Sequence, residues 1–587
     1  MDGQTEVMKS VQREKHIDCS AVLMERVPQL SAFPTLVRQG LVFALQNLVC
    51  EDSINAFLTD NAMNQDFAFI DQVFQHLKIE YIAVDRDIEN IPSKGRVIIV
   101  ANHPLGGLDG LALLRLVSRV RRDVRIVVND LLLHISQLSN LSLPVDVIGG
   151  KTKKADIYRI RQALYNDEAV IIFPAGEVSR VGAKGIRDRH WLPGFIQLAK
   201  ATRSPVLPIY IKARNSALFY AISCISKPLS MLMLPREMLG FNGKISFTIG
   251  QAIAPGVIDG LPLSRKKQAK LVSVHLRRIV SGKTPIFATQ TPLIEKCDRC
   301  AIQAELDQAK ILGQTADNNT IFLFESRNRS VVLEEIGRLR ERTFRFVGEG
   351  TGQCKDLDEF DQYYRHLILW NDSDCEIVGA YRLGEIWKWP HNESHLLYSA
   401  TLFDYTEDAA ELFAAGLELG RSFIQPEYWG NRSLDYLWQG IGAYLALHPQ
   451  VKYLFGPVSL SQNLPKKARD LLVCHYGRYY LDRQNLANAK TPYLCDADTG
   501  SLYAGQGNDD DIETAFKALK SQLAFMSIKI PILYKQYTDL CLPGGTRFCG
   551  FNIDEKFGHC VDGLIVVDLD QVKPIKRARY IAPHNMA

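Results

Sequence analysis

His103 and Asp109 stand at either end of a short polar segment, Asn102-His103-Pro104-Leu105-Gly106-Gly107-Leu108-Asp109. The glycine pair between them permits a tight reversal, so the carboxylate can fold back onto the imidazole. A carboxylate on one ring nitrogen fixes the tautomer and leaves the other nitrogen free to take a proton. A general base of this kind is worth about 10²- to 10⁴-fold in rate. Taken alone, the spacing is met more often by a capped structural histidine. A second set follows in Phe173-Pro174-Ala175-Gly176-Glu177-Val178-Ser179-Arg180, where Glu177 and Arg180 offer opposite charges beside Gly176. That pair suits an acceptor bearing both a carboxylate and an ammonium, and equally a plain ion pair at a loop end. A third set is dispersed along the C-terminal half: Arg338 and Arg340, Asp358 and Asp361, Arg382, then Glu418 and Arg421. Arginines and acids so spread ordinarily pair at a surface. Cys297 and Cys300 form a CxxC with no second pair at zinc-finger spacing, so no metal site is expected.

These residues fall at the ends of regular elements. Between Arg96 and Gly250, β-branched runs (RVIIVAN, VRIVVND, AVIIFPAG, PVLPIYIK, KISFTIG) alternate with helix-like stretches (LDGLALLRLVSRV, ADIYRIRQALYND, GFIQLAKAT). That alternation is the rhythm of an α/β layered domain. His103 directly follows the first of these strands, and Gly176 and Glu177 follow the third. A helix from Arg265 to Ser281 closes the unit, and the Pro- and Thr-containing stretch Gly282 to Pro292 reads as a linker. Beyond it the order becomes strand IFLFES, helix VVLEEIGRLRERTFRF, strands LILW, EIVGAYRLG and LELGRSF, helix SLDYLWQGIGAYLAL and strand YLFGPVSL. The expectation is two α/β domains, 1–285 and 295–587. The residues after Ala487 contain β-like and helical pieces to which no chemistry is assigned.

In order and spacing, NHPLGGLD, FPAGE with Arg180, and SPVLP resemble the glycerolipid acyltransferases over roughly residues 80–255. The resemblance implies acyl transfer from an acyl carrier protein or coenzyme A thioester to a lipid hydroxyl, with His103 as base and Asp109 as its orienting partner. Holding hydroxyl and thioester together makes the attack effectively intramolecular, so no covalent enzyme intermediate is required. The family's FPEGTR is altered: Ala175 stands in the glutamate's place, and the acid moves to Glu177. Its phosphate-holding block is not legible either, with Gly149-Gly150-Lys151-Thr152-Lys153-Lys154 about where it would lie. A glycerol phosphate acceptor is thereby disfavoured.

The C-terminal motifs RLRERTFRFVGEG, DLDEFDQYYRHL, IVGAYRL, ELGRSFI and YLFGPVSLS resemble the autoinducer-synthase-like branch of the acetyltransferase (GNAT) fold, and more closely the ornithine-lipid N-acyltransferases. The resemblance supports Glu418 and Arg421 as the catalytic pair, with Arg340 and Arg382 organising the site or gripping an amino-acid carboxylate. In this order the whole chain is similar to the bifunctional ornithine lipid synthases. The implied route is N-acylation of ornithine with a 3-hydroxyacyl group from acyl carrier protein, then O-acylation of the resulting lyso-ornithine lipid. No bound cofactor is implied. Two alternatives stand beside it: a lysophospholipid acyltransferase whose C-terminal half only recruits the carrier, and a haemolysin-like membrane protein without activity.

Charge narrows the partners. Residues 1–290 carry 37 Lys+Arg against 25 Asp+Glu, and the remainder 32 against 40, so a total of +4 conceals a basic and an acidic half. A basic half fits anionic headgroups or an acidic carrier protein, and the absence of any nucleic-acid module argues against nucleic acid. The clusters Arg115 to Arg125 and Arg265 to Lys267, with Arg338 to Arg345 in the acidic half, are the expected docking sites. Ala217 to Pro235 is the longest apolar stretch, broken by Lys227 and Pro228. A spanning helix needs about 20 apolar residues, so this one reads as an interfacial segment or a core helix and turn. The N-terminus lacks a signal-peptide core and the cysteines are scattered, so the expected location is the cytoplasmic face of a bacterial inner membrane, peripherally bound.

Overall fold

The computed structural model describes residues 35–129, 135–145, 153–182, 185–326, 329–389, 394–497, 499 and 512–581. The chain's extreme N-terminus, Gly149 to Thr152 of the lysine-rich segment and Asp509 to Asp511 lie outside the described residues. Contacts divide the chain into two compact units, Met1–Pro292 and Leu293–Ala587.

The first unit is built on strands β1 (Glu80–Ala83), β2 (Val97–Ala101), β3 (Val124–Asn129), β4 (Ser142–Val145), β5 (Ala169–Ile172), β8 (Val206–Lys212) and β9 (Lys244–Ile249), with β6 (Arg180–Gly182) and β7 (Gly185–Arg187) forming a separate hairpin. The large sheet has the order β1-β9-β8-β2-β5-β3-β4 and is parallel except where β8 meets β9. Successive side chains of a strand point to opposite faces. Val97, Ile99 and Ala101 accordingly pack with Leu108 and Leu113 on one side, and Ile98 and Val100 with Phe195 and Leu276 on the other. A sheet covered on both faces explains why β2 is apolar throughout rather than alternating. Because β2 and β5 are parallel neighbours, the segments beginning at Asn102 and Phe173 leave the sheet side by side at its carboxyl edge. Ligand sites of open parallel sheets lie at that edge.

The apolar stretch from Ala217 becomes three short helices, Ala217–Ile225, Lys227–Leu232 and Leu234–Leu239. Ser226 caps the second and Pro228 occupies its first turn, where the missing N–H costs nothing. Phe219, Tyr220 and Met233 point inward, while Leu218, Ile225 and Met231 stay exposed. Among the described residues no helix is long and apolar enough to cross a membrane.

The second unit carries β10 (Lys310–Gln314), β11 (Asn319–Glu325), β12 (Arg365–Asn371), β13 (Glu376–Gly384), β15 (Gly416–Ile424), β16 (Tyr453–Leu460), β18 (Thr546–Asp554) and β19 (Cys560–Asp568), ordered β10-β11-β12-β13-β15-β16-β19-β18, while β14 (Phe403–Tyr405) and β17 (Ala487–Ala489) pair with each other apart from it. All neighbours in the large sheet are antiparallel except β15 and β16. That parallel ladder runs only from Gly416↔Tyr453 to Glu418↔Phe455, after which the strands part. Gly456 stands at the parting with φ 150°, and a Cβ there would lie 2.1 Å from the Leu419 carbonyl oxygen. The helix Val331–Val347 starts where Ser330 accepts the Leu333 N–H and ends at Gly348 in the left-handed region. The β18–β19 hairpin, from the stretch read in the sequence as β-like without an assigned chemistry, completes the sheet beyond β16.

Candidate functional sites

In the first unit, Asn102 ties the end of β2 to β8: its side-chain amide donates to the Ile211 carbonyl and accepts the Ile211 N–H. The chain then reverses at Gly106, whose φ of 89° suits glycine, and enters the helix Gly107–Val117. The reversal delivers the fully buried Asp109 to the imidazole, with its Oδ1 3.0 Å from His103 Nδ1. Asp109 Oδ2 accepts the Leu105 N–H at 2.8 Å, which holds the carboxylate still. His103 stacks on Phe173 at 4.1 Å and keeps a fifth of its side chain exposed. Burial pushes the imidazole down, but the charge and hydrogen bond of Asp109, with the charge of Asp188, outweigh it and raise His103 above the ordinary histidine value. The structure therefore yields an oriented, basic imidazole with access to solvent.

Gly176 turns the FPAGE loop at φ 65°. Glu177 and Arg180, expected as partners for a zwitterionic acceptor, are brought together with one another: Arg180 Nε lies 3.2 Å from Glu177 Oε2. Arg189 approaches the other Glu177 oxygen at 3.5 Å, and Arg180 also donates to Ser230. Glu177 stays a quarter exposed while Arg180 is buried, so only the acid retains an open side.

In the second unit the dispersed arginines and acids converge on one buried network. Arg340 is 1% exposed and forks onto Asp361 at 2.7 and 3.1 Å, with Nε 3.2 Å from Asp356. Arg382 pairs with Asp358 and, at 3.3 Å, with Asp361, and stacks among the rings of Phe360, Tyr364 and Tyr398. Arg340 and Arg382, expected to organise the site or grip an amino-acid carboxylate, are engaged by the chain's own aspartates, which buried guanidinium groups require, while Arg382 Nε and Nη2 keep no hydrogen-bond partner among the described residues. Burial would raise Asp361, but Arg340, Arg382 and His366 hold it well below the usual carboxylate range.

Arg421 occupies a bulge of β15. Ala380 pairs with Phe423 and Arg382 with Gly420, so Arg421 and Ser422 oppose the single residue Tyr381, and Arg421 takes φ 48°. A bulge re-aims a side chain next to a site at the cost of backbone strain. The guanidinium lies 3.3 Å from Asp356 and over the rings of Tyr398 and Phe557 at 4.5 and 4.4 Å. Glu418 is the last β15 residue paired to β16, at the apex of the parting strands. Its carboxylate accepts the Ser399 N–H at 2.8 Å, the Tyr398 N–H at 3.2 Å and the Tyr364 hydroxyl. Burial raises its pKa, opposed by those bonds and by Arg382. Beyond Glu418 and Phe455 the two strands form no further pairs with each other.

Several groups of these sites are not singled out by the sequence. Tyr398, Ser399, Asp554 and Asp562 lie outside every motif, and Asp356, Tyr364 and Glu349, though inside the motifs DLDEFDQYYRHL and RLRERTFRFVGEG, carry no assigned role there. Glu349 follows the Gly348 helix stop, its N–H bonded to Phe344 O. Burial, with the charge of Asp562, pushes Glu349 up to about 8, and burial with Asp554 pushes Asp562 up to about 6. Among the described residues neither acid is in an ion pair, and Arg421 is the cation that opposes both shifts. Arg338, Arg342 and Arg345, expected as a carrier-docking patch, are matched by Glu335, Glu427 and Glu341. Of the N-terminal cluster, Arg115, Arg121 and Arg125 are likewise engaged by Asp71, Asp123 and Glu168, whereas Arg265, Lys266 and Lys267 are exposed. No cluster of potential metal ligands occurs among the described residues.

Comparison with known proteins agrees with both halves. A family described as acyltransferase matches residues 21–255, and the acetyltransferase (GNAT) domain family matches residues 339–439. A glycine N(alpha)-acyltransferase of Bacteroides thetaiotaomicron is 30% identical over 49% of this chain and 89% of its own. A lyso-glycine lipid O-acyltransferase of Phocaeicola vulgatus is 34% identical over 36% of this chain and 78% of its own. An L-ornithine N(alpha)-acyltransferase of Brucella abortus is 30% identical over 24% of this chain and 60% of its own. Fold and sites define an enzyme with two acyltransferase domains, one of the glycerolipid type and one of the GNAT type. The chain belongs to the aminolipid acyltransferases, with an N-acyltransferase half and an O-acyltransferase half fused in one chain.

Proposed function

We propose that the two domains act in sequence on one lipid. The GNAT domain transfers a 3-hydroxyacyl group from acyl carrier protein to the α-amino group of ornithine, and the N-terminal domain acylates the free 3-hydroxyl of that lyso-lipid. The observation that carries the first step is the placement of Glu418 at the apex of the β15–β16 opening with Arg421 three residues on at the bulge. The thioester arm lies between the parting strands. The amine attacks the thioester carbonyl, Glu418 takes up the amine proton, the C–S bond breaks, and that proton passes to the departing thiolate so that the thiol leaves. In the second step His103 Nε2 takes the hydroxyl proton as the oxygen attacks, Asp109 stabilises the imidazolium, and the proton passes to the departing thiolate.

Glu349 and Asp562 favour an amino acid with a second cationic group. An ammonium beside these two acids would restore their ionised forms and offset the burial cost that raises them. The names of the relatives from Bacteroides and Phocaeicola favour glycine as the second reading. Expression in a host without aminolipids, followed by mass spectrometry of the extracted lipid, separates the two by mass. His103→Ala should leave the monoacylated amino acid to accumulate, and Glu418→Ala should remove both products. Normal diacyl product from His103→Ala would sink the assignment of the hydroxyl step. Supplying the purified enzyme with either the carrier-bound or the coenzyme A thioester decides the donor.

The proposed location is a membrane surface on the cytoplasmic side. The exposed apolar side chains of Leu218, Ile225 and Met231, flanked by Lys227, support it, since an apolar face with adjacent cations suits an anionic interface.

A further inference from the structure

Asp188 lies just beyond β7 and belongs to no motif of the acyltransferase resemblance. In the β6–β7 hairpin Arg180 pairs with Arg187, so the residues at its base, Ser179 and Asp188, stand opposite each other. The Ser179 hydroxyl donates to Asp188 Oδ1. The same base grips the backbone of His103 from both sides: the Ser179 N–H donates to the His103 carbonyl at 2.7 Å, and the His103 N–H donates to Asp188 Oδ1 at 3.2 Å. Asp188 Oδ2 accepts the Trp191 indole N–H at 3.0 Å, and Trp191 is itself buried edge-on against Phe195. One carboxylate oxygen is thereby anchored to the core while the other is turned to the histidine.

We propose that Asp188 is a positioning residue of the hydroxyl-acylating site, fixing the His103 backbone against the Phe173–Arg180 loop so that base and acceptor loop move as one body. The inference rests on the assignment of His103 as base. Asp109 and Asp188 divide the work, the first orienting the ring and the second the main chain. Asp188 also sets a second negative charge beside the imidazole. The charged groups around this pair are Asp109 from the helix Gly107–Val117, Arg187 from β7 and Arg277 from the helix Arg265–Val280. A neutral residue at 188 leaves Asp109 as the main support of the imidazolium, so the base gives up its proton at lower pH.

The test is O-acylation of a purified N-(3-hydroxyacyl) amino acid by the full chain across a pH series. Asp188→Asn should lower kcat by about tenfold or more, the range of a misplaced base. It should also shift the acidic limb of the profile to lower pH, with KM for the lyso-lipid changed less than threefold. Asp188→Glu, which keeps the charge, should return the limb to its wild-type position even if kcat stays reduced, and thermal unfolding of both variants reports folding. A limb that stays in place in Asp188→Asn, with Asp188→Glu equally impaired, overturns the positioning role while leaving the His103 assignment intact. Full O-acylation by His103→Ala overturns both.

Discussion

Asp361 shows how little tolerance the N-acylation site has at the level of one residue. It holds Arg340 by both oxygens, reaches Arg382, and accepts the Asp358 N–H in a reciprocal cap. Removing one member of such a buried set leaves an uncompensated charge and costs about 3–5 kcal/mol. Asp361→Asn should therefore destabilise the second unit by that order in urea unfolding, and a loss under about 1 kcal/mol would show that water reaches the cluster. Glu349 works in the opposite direction. Its pKa rises from 4.5 to about 8 on folding, so the folded form binds the proton more tightly than the unfolded chain. Its contribution is fully present below pH 4.5 and is lost as pH rises to about 8. Glu349→Gln should flatten that decline in a pH series of the unit's unfolding midpoint. A ligand ammonium bound beside Glu349 should flatten it as well.

At the scale of elements, both sites sit where a strand ends or breaks its ladder. The His103 site depends on the reversal at Gly106, where a Cβ would take on a φ of 89° with Leu234 side-chain atoms 3.3 Å away. At φ 89° and ψ −124° the backbone lies in a region open essentially to glycine, and holding an L-residue in such a conformation costs on the order of 1–3 kcal/mol. Gly106→Ala should lose O-acylation more than stability, because the strain is relieved by moving Asp109 off the imidazole; lipid analysis would show the monoacyl product rising. The N-acylation site depends on the parting of β15 from β16. Gly456→Ala drives a methyl into the Leu419 carbonyl, 2.1 Å away, and forced overpacking of this kind typically costs about 1–3 kcal/mol. The expected outcome is loss of both lipid products, since no lyso-lipid is made for the second domain. Retained N-acylation would mean the strands need not part as they do here.

Across the whole molecule, the charge imbalance between the halves needs restating. Much of the basic excess expected to dock partners is spent on internal pairs such as Arg121 with Asp123, leaving Arg265 to Lys267 as an exposed run. The apolar face around Ile225, which is 88% exposed, is the better candidate for holding the enzyme at lipid. Ile225→Asp should reduce cosedimentation with anionic vesicles several-fold while N-acylation of free amino acid in detergent stays unchanged. Equal sedimentation of variant and parent would remove this face from the membrane reading.

Residue order was enough to read the two α/β domains, the strand after which each motif falls, and the His103–Asp109 pairing. Local rules govern all of these: β-branched runs and a glycine reversal act within a few residues. Family likeness singled out Glu418 and Arg421 without saying how they are held. It takes the folded chain to set Arg340 and Arg382 against aspartates and Glu177 against Arg180, and to bring Asp188, Glu349 and Asp562 to the sites. Asp562 comes from a hairpin some two hundred residues after Arg340's partners, and Asp188 from the far side of a short one. Their relevance arises from strand register and burial, which bring distant charges together in low dielectric, and no local spacing in a sequence records that.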